Sequence, residues 1–111
     1  MSKKVLGIAL LFVLIAGSVF AISAHDLAQS MQKGIRASET ALTLARQDIE
    51  RNHDRIVALL RDCVAAAADY ERYEIIHGKV MPNMEQQGRV LMANMTAIKR
   101  QFQAHGYVFP D

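Results

Sequence analysis

Between Met31 and Tyr73 the chain sets apolar or small residues at heptad spacing with few breaks. One series is Ile35, Leu42, Ile49, Ile56, Cys63 and Tyr70; the interleaved series is Met31, Ser38, Ala45, Asn52, Leu59, Ala66 and Tyr73. Alternating steps of four and three hold both series on one helical seam, the pattern of a helix that packs on other helices. Ser23 or Asp26 supplies a helix start, and His77-Gly78 a stop. The pattern therefore predicts one long helix over residues 26–76. At about 1.5 Å per residue that is a rod about 75 Å long. Gly34 is its only glycine, at a cost of about 1 kcal/mol relative to Ala.

A connector over 77–82 follows. Asn83, with Gln86 three residues on, forms a capping-box pattern that opens a second helix over 83–105. Met84, Gly88, Leu91, Met95, Ile98, Phe102 and His105 carry its four–three stripe. Residues 106–111 form an apolar tail expected to fold back. The fold class expected is all-α: a long helix and a shorter antiparallel one in a coiled-coil-like hairpin.

The two seams can be laid in register. Setting Cys63 opposite Ile98 puts Tyr73 over Gly88, Tyr70 beside Leu91, Ala66 over Met95 and Ile56 beside His105. The second helix is then used up at Ile56. Met31, Ile35, Leu42, Ala45 and Ile49 are left as an unpartnered stripe roughly 40 Å long. Such a stripe predicts self-association or a protein partner, unless the region is a solvated linker.

The N-terminus changes the setting. Lys3 and Lys4 precede eighteen uncharged residues from Val5 to Ile22. This suits a signal-anchor transmembrane helix and equally a cleaved signal, with Val19-Phe20-Ala21 marking a cut after Ala21. Gly17-Ser18 weakens the run after a signal-length block and tilts the balance slightly to cleavage. Residues 1–24 are read as this signal or anchor and 25–111 as the exported domain. Either way the basic start stays inside and the rest is exported. The short Lys-Lys start points to a bacterial periplasm.

Charge adds little beyond this. The chain has 13 Lys and Arg against 11 Asp and Glu. Setting aside Lys3 and Lys4, the exported part is neutral, which removes the electrostatic footprint of a nucleic-acid binder. Cys63 is the only cysteine, so no intrachain disulfide can form. Its place on the seam makes it a small core residue, with an interchain disulfide as the alternative in an oxidising compartment.

Candidate chemistry is sparse. His53 and His105 approach each other in the proposed register, and Met81 and Met92 are the methionines free of the stripe. These four are the candidates for a metal site, soft Cu(I) in the case of the thioethers. Seam residues near them are better explained as core. No nucleophile–base set, haem-attachment motif or glycine-rich phosphate loop is present in the sequence. No cofactor and no enzymatic activity are expected.

The layout resembles that of phage-type spanin subunits and of accessory parts of secretion or conjugation machines, in plan rather than in motif. The function expected is a non-enzymatic periplasmic interaction protein. It would self-associate or dock on an envelope assembly through the Met31–Ile49 stripe. The alternative is a metal- or small-ligand-binding hairpin of the sensor or chaperone kind.

Overall fold

The computed structural model describes residues 22–109. The signal or anchor segment expected over 1–24 therefore lies almost wholly outside the described residues. Three helices follow: α1, Ala24–Asp48; α2, His53–His77; and α3, Pro82–Ala104. Among the described residues no helix is long and apolar enough to cross a membrane.

The span expected as one long helix is thus two helices, and the greatest dimension is 40 Å rather than a 75 Å rod. The chain reverses over Ile49–Asn52 with neither Gly nor Pro and no positive φ outside glycine. Polar side chains take over the backbone's hydrogen bonds there. Asp48 Oδ1 accepts from the Arg51 N–H at 3.1 Å, and Asn52 Nδ2 donates to the Leu44 carbonyl at 3.2 Å. Short Asp and Asn side chains commonly stabilise turns in this way. Asn52, placed on the seam by its spacing, is instead the residue preceding α2.

α1 packs against both other helices, while α2 and α3 touch each other only slightly. The two-helix register is corrected accordingly. Tyr70, not Tyr73, lies over Gly88: a Cβ there would stand 2.9 Å from the Tyr70 ring. Tyr73 stacks instead on His77, with ring centroids 4.2 Å apart. The physical reason is the third layer. α1 supplies most of the burial for both neighbours, so α2 and α3 need not mesh heptad by heptad.

Side-chain size explains how one helix serves two partners. The buried face of α1 is mostly small: Gly34, Ala37, Ser38, Ala41 and Ala45, with Leu27 and Met31 near its start. α2 meets it with Cys63, Ala66, Ala67 and Ala68, and the backbones come close. At Gly34 an added Cβ would collide with the Ala66 Cβ. α3 contributes the bulk, with Met84, Leu91, Met95, Ile98 and Phe102 all buried. Large residues set against small ones give the interdigitation a close-packed core requires.

The ends of the helices are defined by local chemistry. Ser23 Oγ accepts from the Asp26 N–H at 3.1 Å, capping α1. Gly78, at φ 83°, ends α2 in the left-handed conformation and donates its N–H to the Glu74 carbonyl at 2.8 Å. Pro82 opens α3 one residue ahead of the expected Asn83 cap, because its fixed φ suits the first helical position. Past Ala104 the chain turns back: the Tyr107 N–H donates to the Phe102 carbonyl at 2.9 Å, and Phe109 sits edge-on to Phe102 at 5.5 Å.

Candidate interaction surface

The stripe expected to recruit a partner faces the chain's own core. Met31, Ala45 and Ile49 are buried, and Ile35 and Leu42 are half-buried against the same cluster. Folding α2 back along α1 covers the surface that a straight rod would have left open. Two polar contacts fix the alignment. Ser38 is fully buried; its Oγ donates to the Ile35 carbonyl at 2.7 Å and accepts from Asn94 Nδ2 at 3.0 Å, tying α1 to α3. Ser30 Oγ donates to Asp69 Oδ2 at 2.6 Å, tying α1 to α2, and Arg72 Nη2 donates to the other Asp69 oxygen at 3.2 Å.

The histidine and methionine candidates are not brought together as a coordination site. His53 packs its ring against Phe102 and Tyr107, at 5.7 and 5.5 Å between centroids. His105 Nδ1 donates to the Gln101 carbonyl of its own helix at 2.9 Å. Met81 is exposed and Met92 half-buried against the core. Eleven positions separate them, about 16 Å along a helix, too far to share an ion. Among the described residues no three His, Cys, Asp or Glu side chains converge as ligands. Cys63 is buried, and loss of solvation with Asp62 beside it pushes its thiol up to about 12. Its Sγ is directed at the Leu59 and Gly34 carbonyls, 3.4 and 3.5 Å away. A buried, protonated thiol is a poor nucleophile and a poor partner for an interchain disulfide.

Three of the exposed large apolar side chains lie at the corner where α2 passes into α3, with Val90 and Val108 exposed elsewhere. Ile75 and Met81 are 61% and 64% exposed, and Ile76 43%. They bracket the turn at Gly78, over the buried Val80. α1 starts at this same end, because it runs antiparallel to α2. The junction is bonded: His77 Nε2 donates to the Ile22 carbonyl at 3.2 Å. The corner carries exposed charges of both signs, with Lys79 among Glu74, Glu85 and Asp26. Burial, with Glu74 and Glu85 nearby, holds the Tyr70 hydroxyl above its ordinary value and therefore protonated. Sequence reasoning passed over Ile75 and Ile76. The available signal was that both fall off the seam formed by Tyr70, Tyr73 and His77.

A hollow of about 300 Å³ lies at the opposite end, lined by Ala45–Glu50, His105 and Tyr107. It is an open depression over the α1–α2 turn with polar and charged walls. No family model, curated protein or solved structure matches this chain.

Proposed function

We propose that this is a non-enzymatic, exported helical protein of the bacterial cell envelope, acting by contact in the periplasm. One observation carries the reading. Ile75, Ile76 and Met81 stay exposed at the end of the bundle where α1 begins. The basic start and apolar run support export of everything that follows. The contact surface is the α2–α3 corner and not the Met31–Ile49 stripe, whose residues serve the core. A role beside a secretion, conjugation or phage-lysis assembly fits this layout.

Export is tested by fusing alkaline phosphatase, which needs an oxidising compartment, after Asp111. The fusion is expected to be active in intact cells. Activity appearing only after lysis would overturn the periplasmic assignment.

A further inference from the structure

We propose that the peptide bond between Ala21 and Ile22 is the processing site of a signal endopeptidase, and that it is cut only while Ile22 is undocked from the bundle, so that folding closes the site. The inference rests on the export reading above and adds an order of events, cut first and fold second. Val19 and Ala21 flank Phe20 just ahead of the bond, in the A-x-A-like spacing such enzymes read. Water adds across the amide, leaving a carboxylate on Ala21 and an ammonium on Ile22, and no other reactant is needed.

Those three residues lie outside the described ones. The near side of the bond does not, and three contacts hold it. The first is burial: the Ile22 side chain is only 5% exposed and belongs to the core cluster. The second is the Ile22 carbonyl, which accepts from His77 Nε2 at 3.2 Å, 55 positions away in the chain. The third is the start of α1 itself. Ser23 Oγ accepts from the Asp26 N–H, and the Ser23 carbonyl accepts from the Leu27 N–H at 2.9 Å. Ile22 and Leu27 stand on either side of that cap at the spacing of a hydrophobic staple. Both are buried, and such a pair fixes the angle at which the chain enters the helix.

An enzyme that takes its substrate as an extended strand pairs with main-chain groups and places side chains in pockets. Ser23 is already extended, at φ −81° and ψ 161°. What the folded chain withholds is access: the Ile22 carbonyl is engaged by His77, and its side chain is in the core. Cleavage therefore has to draw on the locally opened form, and its rate follows how often that form appears. A chain that meets the peptidase before α1 and α2 pack is cut and released. One that packs first keeps residues 1–21. The cleaved and the retained forms are then two products of one race between processing and folding.

The test presents the purified full chain, in mild detergent, to purified bacterial signal peptidase. A synthetic peptide of residues 13–30 serves as the unfolded comparison. Intact mass follows the product that begins at Ile22. The peptide is expected to be cut, and the folded chain to be cut many-fold more slowly. His77→Phe removes the donor to Ile22 while keeping a ring against Tyr73; Leu27→Ala empties the staple. Each should speed cleavage of the folded chain severalfold, because each removes a contact from the closed state alone. Phe109→Ala, which loosens the packing on Phe102 at the opposite end, should leave the rate unchanged. A folded chain cut as fast as the peptide would overturn the proposal. So would native rates for both His77→Phe and Leu27→Ala, or an equal gain from Phe109→Ala, which would mean that the whole bundle must unfold. A peptide left intact removes the processing site itself. None of these results touches export, which the phosphatase fusion tests separately.

Discussion

Gly34 is the tightest point of the α1–α2 crossing, and replacing it with alanine sets two effects against each other. In an isolated helix Gly34→Ala should stabilise by about 1 kcal/mol. In the bundle the new methyl collides with the Ala66 Cβ, and Asp62 O lies 3.4 Å from the same point. Neither atom can rotate away, since one is a Cβ and the other backbone. The helices must separate, and the nearby burial of Cys63, Ala67 and Ala37 loosens with them. Overpacking of this kind costs roughly 1–3 kcal/mol, and a backbone-limited site belongs at the upper end. The net expectation is destabilisation by about 2 kcal/mol, a fall in melting temperature of roughly 8–16 °C for a domain of this size. Circular dichroism melts of the purified full chain in mild detergent would measure it. Adding Ala66→Gly to Gly34→Ala should recover part of the loss, although Ala66→Gly alone destabilises. A Gly34→Ala protein as stable as the native one would refute the close crossing.

Other sites give contrasting expectations. Gly88→Ala should change stability by less than about 1 kcal/mol, because its methyl meets the outer edge of the Tyr70 ring, a half-buried side chain able to swing aside; a melt of that variant checks it. Cys63 makes stability fall in alkali. Its folded value of about 12 exceeds the ordinary 9.0, so the contribution is whole below the unfolded value and is lost as pH climbs toward the folded one, by up to about 1.4 kcal/mol per pH unit. Urea midpoints should therefore drop more steeply above pH 9 for the native protein than for Cys63→Ala, and parallel curves would count against the burial. Ser38→Ala and Asn94→Ala should each cost about 1 kcal/mol, and a double-mutant cycle should return a coupling of about 0.5–1.5 kcal/mol. Phe109→Ala should cost about 1 kcal/mol through its lost edge contact with Phe102, and should also raise exchange of the Tyr107 amide.

α3 was the most legible part of the chain. Met84, Leu91, Met95, Ile98 and Phe102 carry strong hydrophobic weight at unbroken spacing, and all are buried. The stop at Gly78 was legible because only a left-handed residue ends a helix cheaply there. The α1–α2 reversal was not, because Asp48 and Asn52 build it without glycine or proline inside an uninterrupted heptad pattern. The polar cluster Glu50-Arg51-Asn52-His53-Asp54 was the available signal. The face of α1 was half legible. Met31, Ala45 and Ile49 lie inside as their spacing implies, but Gly34, Ala37 and Ala41 are buried too. Small residues contribute little to an apolar pattern, yet they decide how closely two helices approach. The interaction stripe inherited the missed turn: once α1 ends at Asp48, the stripe has a partner within its own chain.

The reversal at Ile49–Asn52 also bears on how many chains make one bundle. Ile49 already holds helical angles, φ −66° and ψ −35°, and the departure from helix is maintained by side-chain bonds from Asp48 and Asn52. Straightening those few residues would fuse α1 and α2 into one rod and open the groove that α2 fills. A second chain straightened in the same way would supply its own α2 and α3 together, since both pack on α1. Exchange of identical elements costs little when the hinge alone changes conformation. Two short polar side chains thus decide whether α2 folds back on its own α1.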